Sequence, residues 1–365
     1  MIEKIKIENY KNFKSFEFDG FKRVNLIAGK NNVGKTNLLE AIYLTENEFR
    51  PISFASLFQL RTNNPEYKKV VSTTADLNLF LENSIKSIQR IDQHKLPSKV
   101  QIEINQDSKY SLTQINYSEN TEKNVSGEFK PVLTPKFDQE FDPKDSKFCF
   151  LIDSKIARFV KYPGYDQKDL FQMEFKPIVG FVGANGTHLD PLLYVMEQIK
   201  QEGQFEYLIA KISDLLETDI SDIYPFRIEN SLFSEIKFST ESSKGWHSFS
   251  SLGFGSNRII FQLLSIFVSQ GKSLVIDEID LGIHYSKQEE FWKLIFSISK
   301  DLNVQIFATT HSRDCFDAFA RVANYDENKG SGKFIRLSDK SGVLKAIDYE
   351  DQDIEAAEES GVEVR

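Results

Sequence analysis

The chain has 365 residues, 40% of them hydrophobic and 27% charged, which is enough for a large core and for two or three lobes. Its two cysteines, Cys149 and Cys315, exclude a disulfide framework and a thiolate metal cluster, so a reducing compartment is expected. The formal charge of −9 excludes a chain basic overall, the usual footprint of a dedicated nucleic-acid binder.

That charge is unevenly placed. Residues 348–365 hold eight acids and one base, so the rest of the chain is nearly balanced and a basic groove on one face stays open. The first 35 residues carry eight bases against four acids, a hint of DNA contact that a solvated surface explains equally well. The 31 phenylalanines read as bulky core. The start, MIEKIKIENY, lacks the apolar stretch of a secretory signal. The longest greasy run, 259–268, is short and interrupted by Gln262 and Ser265. A soluble, cytoplasmic protein with no membrane span is the expectation.

In chain order, Ile5 and Ile7, then Phe16 and Phe18, then Val24, Leu26 and Ala28 alternate with polar residues and predict three strands. A Gly-rich segment follows, and then Leu38, Leu39, Ile42 and Tyr43 at helical spacing. Residues 49–236 are more polar and less regular. Within them Val100, Ile102, Ile104, Tyr110 and Leu112 predict a hairpin, while 118–130 and 131–143 read as loop and linker. Asp190-Pro191 opens a predicted helix through 192–199, and 208–216 is a second. Regular architecture returns near 236. An apolar helix over 258–267, a buried strand over 273–276, a helix with inner face Phe291, Leu294, Ile295 and Ile298, and a strand over 304–308 are expected. Ser286 with Glu289 has the spacing of a capping box for the second of these helices. Strand–helix alternation with continuously apolar strands implies an α/β fold whose sheet is covered on both faces.

Four short segments carry chemistry. Residues 29–36 read GKNNVGKT, which fits G-x-x-x-x-G-K-[ST] in full, with the required strand before and helix after. Gly29 and Gly34 let the backbone N–H groups of Asn31, Asn32, Val33 and the helix start (Lys35, Thr36, Asn37) converge on phosphate oxygens. Lys35 would reach the β- and γ-phosphates, and the Thr36 hydroxyl would bind Mg²⁺. Residues 273–278, SLVIDE, end an apolar strand in two carboxylates. Asp277 would hold the Mg²⁺ shell, and Glu278 would orient or deprotonate the attacking water. Thr309, Thr310, His311 and Ser312 follow the next strand, where His311 could donate to a γ-phosphate. Residues 251–258, SLGFGSNR, put Ser251, Gly253 and Gly255 at a helix start, a second potential anion site.

In this order, the four segments resemble the ATP-binding-cassette heads of the SMC, RecF and OLD ATPases. Within that group EIDLGIH (278–284) and QIFATTHS (305–312) are most similar to the bacterial OLD type, as are the start KIKIENYKNFKSF and the tail DIEAAEESGVEVR. The motif-bearing resemblance spans residues 1–45 and 245–365. It implies an ABC-type P-loop head with an N-terminal antiparallel β lobe and an inserted α+β arm. The corresponding division is 1–48 (β lobe and Walker A), 49–236 (insertion), 237–345 (signature, Walker B, D-loop and switch histidine) and 346–365 (acidic helical tail).

It further implies that Lys35 and Thr36 are the Walker A pair, Asp277 and Glu278 the Walker B pair, and His311 the switch histidine, with ATP and Mg²⁺ as cofactors. Ser251 and Gly253 would read the γ-phosphate on a partner head, and residues 280–284 would form a dimer-facing D-loop. The signature reads S-L-G-F-G where the wider group has L-S-G-G, and Gln59, Gln167 and Gln172 are candidates for the Q-loop. The implied function is an ATPase that dimerises head to head on ATP and gates a separately encoded effector, a nuclease or toxin, in bacterial antiphage defence. No Toprim or HNH nuclease pattern is recognisable in the sequence. The alternative is a RecF-like repair clamp that binds DNA under ATP control, although such heads end the D-loop in Asp where this chain has His284. A GTPase switch is disfavoured because Asn328-Lys329 lacks the Asp of N-K-x-D.

Overall fold

In the computed structural model, residues 1–47, 53, 57, 100–105, 108–123, 129–136, 146–152, 155–160, 180–183, 204–227, 234–243, 245–340 and 343–349 are described. Three strands open the chain: β1 (Lys4–Tyr10), β2 (Phe13–Asp19) and β3 (Val24–Gly29). The first helix, α1 (Lys35–Glu46), follows the Gly-rich loop directly. The three strands and the helix lie where the hydrophobic periods put them.

The strands β4 (Val100–Ile104), β5 (Ser108–Lys123), β6 (Phe129–Lys136), β7 (Ser146–Ile152) and β8 (Lys155–Val160) come next. With β1 and β2 they form an antiparallel sheet of order β2-β1-β4-β5-β7-β8, with β6 also on β5. The predicted hairpin is β4–β5, with Val100 opposite Leu112. Where they are described, at 118–123 and 129–136, the stretches expected as loop and linker are instead strand, since β5 runs on to Lys123 and pairs with β6 from Asn116↔Lys136 onward. Their side chains are polar, but β pairing is made by backbone groups that a polar sequence supplies equally well. The first part of the 49–236 segment thus continues the N-terminal sheet, with Ile7 of β1 opposite Ile102 of β4.

A second sheet has order β16-β15-β3-β14-β13-β9, built from β9 (Phe181–Val182), β13 (Ser273–Ile276), β14 (Gln305–Thr309), β15 (Gly332–Lys340) and β16 (Val343–Tyr349) around β3. Strands β15, β3, β14, β13 and β9 are mutually parallel, and β16 closes one edge as an antiparallel hairpin. The α/β class expected from strand–helix alternation is therefore present. A three-stranded sheet, β10 (Ile220–Arg227), β11 (Ser234–Thr240) and β12 (His247–Ser248), flanks it. Strand β11 runs through the division expected at 236/237.

Four further helices complete the described fold: α2 (Gln204–Leu216), α3 (Phe254–Val268), α4 (Gln288–Asp301) and α5 (Arg313–Ala323). The parallel sheet separates two cores. Val24, Leu26, Leu274, Ile276, Ile306 and Ala308 face the core shared with α2 to α5. Ile27, Val275 and Phe307, alternate residues of the same strands, face the core made with β1, β2 and α1. That period-two switch is why β13 and β14 read as continuously apolar. Phenylalanines 13, 16, 18, 21, 307, 316, 319 and 334 are all buried, as the bulky-core reading requires.

Two local expectations are corrected. Ser286 does not cap α4: the cap position is Lys287, and the preceding 3₁₀ turn is capped by His284, whose Nδ1 accepts from the Ser286 N–H. The turn absorbs the residues that the capping box would have used. Residues 346–349, expected in a helical tail, belong to β16, where Asp348 pairs with Lys333 at 2.5 Å. Alternation of Leu344 and Ala346 with charged neighbours follows a strand period, and the acid count masked it. Residues 350–365, the helix expected over 192–199, and Gln59, Gln167 and Gln172 lie outside the described residues.

Candidate functional site

The parallel strands β3, β13 and β14 lie side by side and all end at one edge, so the loops after them meet there. In open α/β sheets this crevice beyond the carboxyl ends is where ligands bind. The loop after β3 depends on two glycines. Gly29 has φ +142°, and a Cβ there would sit 2.5 Å from the Leu337 carbonyl oxygen. Gly34 has φ +101° and is the N-cap of α1; its Cβ would lie 2.5 Å from Asn12 Nδ2. Asn12 comes from the β1–β2 turn and accepts from Asn37 Nδ2 at 2.7 Å, fastening that turn to the helix start. Asn31 and Asn32 are exposed at the loop crest, Asn32 at φ +61°, and Val33 is buried beneath them.

Lys35 is buried, with its Nζ donating to the carbonyls of Gly29 (2.8 Å) and Lys30 (3.0 Å). Burial pushes its pKa down to about 8, partly offset by Asp277 and Glu278. Thr36 Oγ1 donates to Asp277 Oδ2 at 3.0 Å, tying the phosphate-loop helix to the end of β13. The other Asp277 oxygen accepts from Thr309 Oγ1 at 2.6 Å, and Thr309 Oγ1 in turn accepts the Glu278 N–H at 2.9 Å. Glu278 itself is left-handed, φ +52°, an uncommon conformation for a residue with a side chain. Thr310 Oγ1 donates to Asp280 Oδ1 at 2.6 Å.

His311 follows, half-buried, with its pKa held below the ordinary histidine value by burial and by the Lys35 charge. Glu278, Asp280 and Asp277 act on it in the opposite direction. That direction favours the neutral imidazole, which can donate one N–H. Ser312 caps α5, accepting the Cys315 N–H at 3.2 Å.

The structure thus assembles Lys35, Thr36, Asp277, Glu278 and His311 around one crevice. Ser251, Gly253 and Gly255 lie at the start of α3 and share none of these hydrogen bonds. The Ser251 hydroxyl donates to the Ser248 carbonyl at 2.7 Å. Gly253 is the N-cap of α3 and faces open space, whereas Gly255 packs directly on Gly282.

Residues to which the motifs assign no role also hold the site. Thr309 and Thr310 fix the acidic segment, Asn12 supports the loop, and Arg258 reaches the backbone of the acid pair. Thr309 and Thr310 stand beside His311 in sequence, and hydroxyls at the end of a strand neighbouring an acidic strand end are the available signal. For Asn12, which is 22 residues from Gly34 in sequence, there is none.

Oxygen donors on Thr36 and Asp277, a buried lysine among loop carbonyls and a helix N-terminus suit a polyphosphate with a hard divalent cation. Comparison with known proteins agrees with this class of site. The AAA ATPase domain model matches residues 1–187 and 188–316, and the chain belongs to that family of ATPases. A Helicobacter pylori protein described as an ATP/GTP phosphatase is 25% identical over 344 residues, covering 88% of each chain. The Bacillus cereus DNA replication and repair protein RecF is 30% identical over 103 residues, 26% of this chain and 27% of RecF.

Among solved structures, the SMC head domain from Thermotoga maritima aligns with 96% of this chain and 99% of its own at TM-score 0.42 and 16% identity. An Smc head with an extended coiled coil, bound to the C-terminal domain of ScpA from Pyrococcus furiosus, aligns with 99% of both chains at TM-score 0.46 and 13% identity. Among the described residues, no helix is long and apolar enough to cross a membrane.

Proposed function

We propose that the chain is an ATP-hydrolysing subunit that closes head to head on ATP and so controls a separately encoded effector in the cytoplasm. The observation that carries the catalytic part is the bond between Thr36 and Asp277, because it joins the phosphate loop to the acid pair. Lys35 leaves the Gly29 and Lys30 carbonyls to bind the β- and γ-phosphates. Thr36 and Asp277 would hold Mg²⁺, since hard oxygen donors suit that ion. When bound, it neutralises charge developing on the phosphate oxygens. Glu278 orients the attacking water and accepts its proton. His311 donates an N–H to the γ-phosphate as charge develops.

Dimerisation rests on the exposed start of α3. Ser251 and Gly253 stand at a helix N-terminus that shares none of the hydrogen bonds of the crevice, suited to the γ-phosphate of a second copy. Phe254, the first residue of α3, is 64% exposed, and Tyr285, three residues beyond the Gly282 that α3 packs on, is 67% exposed, apolar area that a second head would cover. The test is sedimentation of Glu278→Gln with Mg-ATP. The expected result is a dimer that is absent without nucleotide, whereas monomers under both conditions would overturn the sandwich.

The effector and antiphage part rests on the OLD-like segments EIDLGIH and QIFATTHS alone. A nuclease or toxin encoded beside this gene, copurifying with the chain, supports it. A second reading, an ATP-controlled DNA clamp, is favoured by the RecF match. Its signature is DNA binding whose affinity falls steeply with salt, and no binding at low salt removes it.

A further inference from the structure

Helix α3 does more than present its N-terminus. One of its faces lies along residues 277–282, the segment carrying both acids. Gly255 packs so closely that a Cβ there would be 2.0 Å from the Gly282 carbonyl oxygen. One turn on, the buried Arg258 donates from Nη2 to the carbonyls of Asp277 (2.6 Å) and Glu278 (2.9 Å), and from Nη1 to that of Gly183 (3.0 Å) after β9. A further turn on, Gln262 Nε2 donates to the Ile279 carbonyl at 3.0 Å. Positions 255, 258 and 262 have the i, i+3, i+7 spacing of a single helix stripe.

We propose that Arg258 is a positioning residue for hydrolysis: it grips the Glu278 carbonyl while Thr309 accepts the Glu278 N–H, and together they hold the left-handed turn that aims the carboxylate. Glu278 is fixed on both sides of its Cα, one side by β14 and the other by α3. The inference rests on Glu278 being the group that handles the water.

The test is a double-mutant cycle read by single-turnover phosphate release, with affinity for a non-hydrolysable ATP analogue measured in parallel. Arg258→Met keeps the side-chain stem and removes the donors. It is expected to slow release by about 10- to 100-fold, the cost of a misplaced catalytic group, with analogue affinity within about twofold of wild type, as for a residue that does not touch ground-state nucleotide. Added to Glu278→Gln it should cause no further loss, since Arg258 acts through that side chain. Losses that multiply, or an Arg258→Met protein turning over at the wild-type rate, would overturn the proposal. If Arg258→Met does not fold, Arg258→Lys, whose single ammonium cannot span all three carbonyls, goes through the same cycle with the same two outcomes. A Glu278→Gln protein as fast as wild type would instead bring down the role of Glu278 itself, whatever Arg258→Met does.

Discussion

Thr309 Oγ1 donates to Asp277 Oδ1 at 2.6 Å across neighbouring parallel strands, leaving the second carboxylate oxygen to Thr36. One hydroxyl therefore decides which Asp277 oxygen is available at the phosphate loop. Thr309 is fully buried and Asp277 half-buried, so the bond is partly shielded from water.

Thr309→Val keeps the shape and removes the hydroxyl. It strips Asp277 of a partner and leaves the Glu278 N–H without its acceptor, so unfolding should come about 1–3 kcal/mol more easily. The Mg²⁺ concentration for half-maximal hydrolysis should also rise, because Asp277 can then turn. Urea denaturation and a Mg²⁺ titration of turnover check both; unchanged Mg²⁺ dependence would show that Thr309 does not orient Asp277.

How far this site was legible in the sequence follows from what each residue depends on. Lys35, Thr36, Asp277, Glu278 and His311 announce themselves because a phosphate loop and strand-end acids work through local backbone geometry, which fixes spacing. Arg258 and Asn12 do not, because they act on carbonyls and on a glycine whose nearness is made by tertiary packing. The same division runs through the fold. Strands β13 and β14 are plain from their unbroken apolar runs and β3 from its alternation, whereas no strand is expected at β9 or β15, and β5 and β6 lie in polar text because backbone pairing holds them. At 346–349 the charge count pointed to a solvated helix, but period-two alternation and the Lys333–Asp348 pair make it an edge strand.

Glu40, in the middle of α1, is almost wholly buried, accepting from Tyr10 Oη at 3.2 Å and paired with the Lys11 ammonium, itself nearly buried. Burial pushes the Glu40 carboxyl well above the ordinary carboxylate range, and removing it leaves the Lys11 ammonium nearly buried without that partner. Glu40→Leu is expected to cost about 3–5 kcal/mol, and Lys11→Met with Glu40→Leu together much less than the sum of the two. Chemical denaturation of the three variants checks this, and additive losses would mean that the pair is not coupled.

Two glycines separated by one residue should behave oppositely. Gly255→Ala forces α3 away from Gly282, at about 1–3 kcal/mol for overpacking. Gly253→Ala meets nothing within 4 Å, at a φ of −58° that alanine adopts freely, and should leave stability within about 0.5 kcal/mol. Thermal melting separates them, and equal shifts would contradict the Gly255–Gly282 contact.

The depressed pKa of Lys35 gives nucleotide binding a pH dependence. Bound triphosphate favours the ammonium and raises its pKa, so binding takes up a proton wherever the free protein has lost it. Affinity should be level below about pH 8 and fall by up to about tenfold per pH unit above it. Calorimetry at pH 8.5 in buffers of different ionisation enthalpy should detect the uptake. Lys35→Arg, protonated throughout, should lose the slope; a slope that persists in that variant would place the titration elsewhere.

The Asp277–Glu278 pair is where the phosphate loop, β14 and α3 converge, and hydrolysis turns on Glu278. The direct measurement is single-turnover phosphate release by Glu278→Gln beside wild type, with ATP affinity measured on the same preparations. ATP bound as tightly as by wild type, with release slowed at least about 100-fold, is the predicted result. Release at the wild-type rate from protein that binds ATP normally would contradict it.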